Sequence, residues 1–122
     1  MSKLAALMLG VMLGCGGSPS GAACPTADAP TYDNFGKAFM EEYCVGCHSR
    51  TAASRHGAPG DQNYDTEADI MNHLAKIDEV AAQGPDATNT SMPNLSGPVH
   101  SRPSTEERTK LGQWLACAMS AP

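Results

Sequence analysis

The sequence predicts an all-α domain with long irregular loops. Apolar residues recur at spacings of three and four in three separate stretches, as they do on helices with one buried face. No stretch alternates apolar and polar residues in the way a half-buried strand would. A chain of 122 residues has room for one small domain.

The first helix is expected from about Tyr32 to Cys44, capped by Thr31 or Asp33, with Phe35, Phe39, Met40 and Tyr43 on one face. Gly36 lies inside it at a cost of about 1 kcal/mol relative to Ala, which suggests another backbone coming close. The second helix is expected from Thr66 to Gln83, with Thr66 as cap and Gly84-Pro85 as stop. Its inner stripe reads Ile70, Met71, Leu74, Ile77, Val80 and Ala81. The third begins at Ser104, where Ser104-Thr105-Glu106-Glu107 forms a capping box after Pro103, and ends near Met119. Leu111, Trp114, Leu115 and Ala118 share a face of it. Loops fill the stretches from Ser49 to Asp65 and from Gly84 to Pro103.

Composition narrows the possibilities. The chain is 41% hydrophobic but only 5% aromatic, and it carries 12 Gly and 9 Pro. So loop-rich a small chain needs covalent staples, or a body from outside the polypeptide, to complete its core. The net charge is -5 and no basic stripe exists, which argues against nucleic acid as a partner. No run of 18 apolar residues exists to span a bilayer.

The N-terminus reads as an address. Residues 1–14 open with Lys3 and continue through an apolar stretch from Leu4 to Leu13, as a signal peptide does. Met12-Leu13-Gly14-Cys15 resembles the bacterial lipobox, with Met12 where Leu is usual; the resemblance implies a lipidated Cys15, with plain secretory cleavage as the alternative. Residues 15–30, rich in Gly, Ser, Pro and Ala, then read as a tether, and residues 31–122 as the domain. The expected location is the periplasm or cell envelope, with the membrane reached only through the N-terminal anchor. In such a compartment thiols tend to pair.

Cys44-Val45-Gly46-Cys47-His48 is C-x-x-C-H, the attachment signature of c-type haem. Two thiols two residues apart can add to the two vinyl groups of the porphyrin, and the His that follows is then placed to coordinate iron. Two other chemistries use such pairs. A thioredoxin-like pair opens a helix after a strand, whereas this one closes a helix. A zinc site would need two more ligands, for which Cys24 and Cys117 could serve, and would leave the His unexplained. Haem also supplies the apolar body that the composition lacks.

From about Thr31 to Met119 the chain resembles class I monohaem cytochromes c. The resemblance rests on CVGCH near the start, on Met92-Pro93 in a later loop, and on the C-terminal helix. Gly36, eight residues before Cys44, matches the family's Gly at the crossing of first and last helices. Leu111, Trp114 and Leu115 match the apolar and aromatic pattern that packs on it. Met40 stands where an aromatic is usual, with Phe39 adjacent. Arg55-His56-Gly57-Ala58-Pro59, Asn63-Tyr64-Asp65 and Trp114-Leu115-Ala116-Cys117 look like a subgroup of short exported bacterial cytochromes.

The resemblance implies a cytochrome c-like fold of three main helices around one covalent haem c, with Cys44 and Cys47 attaching it and His48 and Met92 as axial iron ligands. His100, His73 and His56 are the alternatives to Met92. It also implies that Cys24 and Cys117 come together as a disulfide, since the family brings its first and last helices into contact. The implied function is one-electron transfer, without enzymatic activity, by a monomer that docks on redox partner proteins. Such partners would be locally basic, or would meet the haem edge through apolar contact. A peroxidase or gas sensor with a labile distal Met, and a haem subunit of a larger oxidoreductase, are the rival readings.

Overall fold

The computed structural model describes residues 18–94, 99 and 101–121. The expected signal segment, Cys15 and His100 lie outside them. The described residues are all-α: they hold helices and one isolated antiparallel bridge, Gln83 with Thr88, but no strand.

A π-helical turn, Tyr32–Gly36, runs directly into helix α1, Lys37–Tyr43. Thr31 caps it: its side chain accepts from the Asn34 N–H, while the Asn34 side chain accepts from the Thr31 N–H. Both Phe35 and Gly36 then donate to the Thr31 carbonyl, and this opens the first turn to π width. Helix α4, Thr105–Ser120, starts at the expected capping box, with Ser104 and Glu107 exchanging hydrogen bonds of 3.1 and 2.7 Å.

The two segments cross where Gly36 was expected to admit a neighbour. A Cβ on Gly36 would lie 2.5 Å from Trp114 Cζ2. The indole therefore occupies the space a side chain would take. Tyr43 ties the other end of α1 to α4, its hydroxyl donating to Glu107 at 3.1 Å.

The single second helix expected from Thr66 to Gln83 is two: α2, Glu67–Met71, and α3, Leu74–Ala81. The break falls at Asn72-His73, whose N–H groups bond back to Asp69 and Ile70. The His73 ring is engaged with the preceding loop, its Nε2 bonding to the Asp61 carbonyl at 3.1 Å and its edge meeting Tyr64. The break turns the stripe. Ile70, Leu74, Ile77 and Ala81 stay buried, but Met71, expected inside, is 44% exposed. Asp78 takes an inner position and is fully buried.

The tether expected over residues 15–30 differs over residues 18–24, which form a strap packed on the domain. Ser20 is fully buried, and its N–H and Oγ donate to the Asp78 carboxylate at 2.5 and 2.8 Å. The strap runs in a crevice that exists because Gly84 and Gly112 lack side chains: a Cβ at either would meet residues 20–22 at 2.4–2.9 Å. Cys24 and Cys117 are joined in a disulfide, with Cα atoms 4.6 Å apart, which fixes the strap's end to α4.

Candidate cofactor site

The end of α1 builds the first wall of a cleft. The Cys44 carbonyl, just past the helix, accepts from both the Cys47 N–H at 3.2 Å and the His48 N–H at 3.0 Å. This turn folds the C-x-x-C-H segment back on itself, so that Cys44, Cys47 and His48 all face one cleft. Counted with its open mouth, the cleft encloses about 830 Å³. Its walls are mostly apolar, with Tyr43, Tyr64, Ile77, Val80, Ala81 and Val99 contributing.

His48 is only 8% exposed and lies against the Tyr64 ring, centroids 4.6 Å apart. Its Nδ1 is 2.9 Å from the Gln62 carbonyl. A carbonyl only accepts, so Nδ1 carries the proton and Nε2 keeps its lone pair for a metal. Burial, with the Arg55 and His73 charges adding, holds the imidazole below its ordinary 6.5, despite the opposing pull of the Gln62 bond. A neutral ring is the form that ligates.

Gln62 is itself held in place. Arg55 Nη2 donates to its carbonyl at 3.1 Å and to Pro59 at 2.6 Å, while Nη1 donates to Ser49 and Asn63 at 2.7 and 2.8 Å. One guanidinium thus gathers the loop from Ser49 to Asn63 into a fixed wall. Arg50 pairs with Asp69 through two bonds of 2.6 Å, joining the same loop to α2.

Met92 is half-buried on the cleft wall. Its N–H donates to the Val80 carbonyl at 2.9 Å, and its carbonyl accepts from Arg108 at 2.9 Å. Of the alternatives, His56 lines the cleft at an exposed positive-φ position, and His73 is turned to Asp61 and Tyr64. The four residues expected to hold the group therefore share one cavity, although Met92 lies far along the chain from the other three.

The zinc reading loses ground. Cys24 and Cys117, the extra zinc ligands, are bonded to each other. Among the described residues no set of three His, Cys, Asp or Glu side chains is placed to hold a metal ion. Burial, with Cys47 adding to it and Arg108 opposing, pushes the Cys44 thiol up to about 12. A redox dithiol needs the reverse, a thiol that ionises easily.

Two residues that position this site escape a reading of motifs. Arg55 falls within a motif matched only as a likeness. Arg108 is a charge on a helix, and such charges usually face water. Its spacing could have found it, because Ser104, Arg108, Leu111 and Leu115 follow the three-four rhythm of the buried face.

Comparison of the chain with protein-family models, with curated proteins and with solved structures found no match.

Proposed function

We propose that the chain is a c-type cytochrome that carries single electrons on one covalent haem. One observation carries the reading: Cys44, Cys47, His48 and Met92 line one mostly apolar cleft. Bound there, haem supplies an iron that cycles between Fe(II) and Fe(III). Cys44 and Cys47 would attach the ring, and the raised Cys44 thiol would no longer matter once thioethers form. His48 offers a neutral Nε2, oriented by Gln62 and Arg55. Met92 offers a soft, uncharged thioether, a ligand type that raises the potential. With His48 and Met92 both holding the iron, the protein would leave no open position for a substrate. The proposed setting is the cell envelope, with Cys15 lipidated and docking on redox partners at the cleft mouth.

The test is the protein purified from a host with working c-haem maturation. Haem should stay with the polypeptide through acid-acetone extraction, and mass spectrometry should report haem and lipid additions together. The spectrum should be low-spin in both oxidation states. Met92→Ala should turn the iron high-spin, or His-ligated, and lower the potential. Colourless protein would end the proposal. A high-spin wild type that binds CO readily would favour the peroxidase or sensor reading.

A further inference from the structure

Arg108 stands in the first turn of α4 and is 3% exposed. One of its nitrogens, Nη1, donates to three backbone carbonyls: Ala81 at 2.8 Å, Asn89 at 3.0 Å and Met92 at 2.9 Å. The Ala81 carbonyl is at the C-terminal end of α3, where a helix leaves acceptors unused. Asn89 and Met92 bracket the loop that carries the thioether. A single buried group therefore links α4, α3 and that loop. Two further ties hold the loop to α3: Met92 N–H and Ser91 Oγ both donate to the Val80 carbonyl, at 2.9 and 3.2 Å. The second nitrogen, Nη2, is buried and has no hydrogen-bond partner among the described residues. Among the described residues Arg108 takes part in no ion pair. Packing alone does not explain this residue. A methionine or leucine would fill the space without an unmatched charge, and burying an unpaired cation is costly.

We propose that Arg108 is the positioning residue of the distal ligand. By fixing the Asn89 and Met92 carbonyls against α3 and α4, it keeps the Met92 thioether at the iron and resists its displacement. The inference rests on the haem reading above. It goes further in giving the permanence of the sixth ligand to a residue that touches neither iron nor ring. The buried positive charge has a second, separable consequence: it disfavours the more positive Fe(III) state and so raises the potential.

Two variants separate these effects. Arg108→Met keeps apolar volume but removes charge and donors. Arg108→Lys keeps the charge but cannot span three carbonyls in the same way. The readouts on ferric holoprotein are imidazole affinity, the sulfur-to-iron charge-transfer band and the midpoint potential. Covalent haem content and far-UV circular dichroism report folding. Loss of charge-assisted bonds to the loop should raise imidazole affinity about tenfold or more in Arg108→Met. The charge-transfer band should weaken and the potential fall. Arg108→Lys should rescue the potential in part while imidazole affinity stays raised. If Arg108→Met does not fold, Arg108→Lys alone decides, since its imidazole affinity must still rise. Wild-type imidazole affinity in a folded variant overturns the proposal, even if the potential shifts, because only the charge would then act. Wild-type protein without haem, or without Met ligation, fails at the earlier step and is visible before any variant is made.

Discussion

At Gly36 the missing side chain is itself the structural element. Trp114 Cζ2, Cε2 and Cη2 lie 2.5, 2.6 and 2.7 Å from where a Cβ would stand. All three belong to a rigid ring, itself pinned by Tyr32 at a centroid distance of 6.2 Å. The clash cannot be relieved by bending the end of a flexible chain. Gly36→Ala should therefore destabilise by about 1–3 kcal/mol, as overpacking does, although Ala is the better helix former. Thermal unfolding checks this, and equal or higher stability would mean that the helices can slide apart at no cost. Gly36 and Trp114 were both legible as sequence. So was the grouping of Cys44, Cys47 and His48 on one cleft, because a five-residue motif keeps them close along the chain. Met92 was legible only through a likeness. Folding alone brings its loop to the cleft, and no spacing rule links residue 92 to residue 48.

At the scale of elements, the caps were readable and the interior of the middle helix was not. Thr31, Thr66 and Ser104 each accept the hydrogen bond expected of an N-cap. The break at Asn72-His73 depends on what His73 finds in the loop before it, which local propensity does not contain. For the same reason the apolar stripe leaves out Asp78, which follows Leu74 at the four-residue spacing but is a carboxylate. Its burial becomes intelligible only with Ser20, 58 residues earlier, donating twice. Burial raises the Asp78 pKa above its ordinary 3.8, and the Ser20 and Ser18 bonds only partly oppose it. A carboxyl with a raised folded pKa binds its proton more tightly when folded. Its contribution to stability is therefore greatest below about 3.8 and is lost as pH rises through the folded value. Asp65 has the opposite sign: the Ser49 bond first, then the Arg50 N–H, hold it low, so its contribution is lost as pH falls through its folded value. Asp78→Asn retains one acceptor for Ser20 and cannot ionise. Relative to it, wild type should gain stability on going from about pH 7 to about pH 4. Melting curves of the two across that range measure the difference, and parallel curves would show that Asp78 is not the group responsible. Asp78→Ala, which leaves both Ser20 donors without their acceptor, should cost about 1–3 kcal/mol at any pH in the range.

For the whole molecule, the strap is the part that composition misread. A run of Gly, Ser, Pro and Ala cannot build a core, but it can complete one where glycines on the receiving side leave a channel. Gly84 and Gly112 do so, and Asp86 N–H adds a bond of 2.9 Å to the Ser20 carbonyl. Any tether to a lipid at Cys15 is thereby confined to residues before 18. The Cys24–Cys117 bond closes a loop with a sequence separation of 93. Loop entropy alone would assign it about 4.7 kcal/mol. The measured loss on removing it should be smaller. Ser20, still bound to Asp78, keeps the strap near α4 after the bond is cut, and a covalent haem would restrain the same chain at Cys44 and Cys47. Cys24→Ser with Cys117→Ser should accordingly lower the melting temperature while leaving the visible spectrum close to wild type, because neither sulfur lines the cleft. Adding Asp78→Ala to that pair should cost more than the sum of the two changes, since each restraint holds the strap when the other is absent. A double-mutant cycle on thermal stability measures this coupling. Strict additivity would mean that the strap's two attachments act independently, and that the disulfide staples α4 without help from the buried carboxylate.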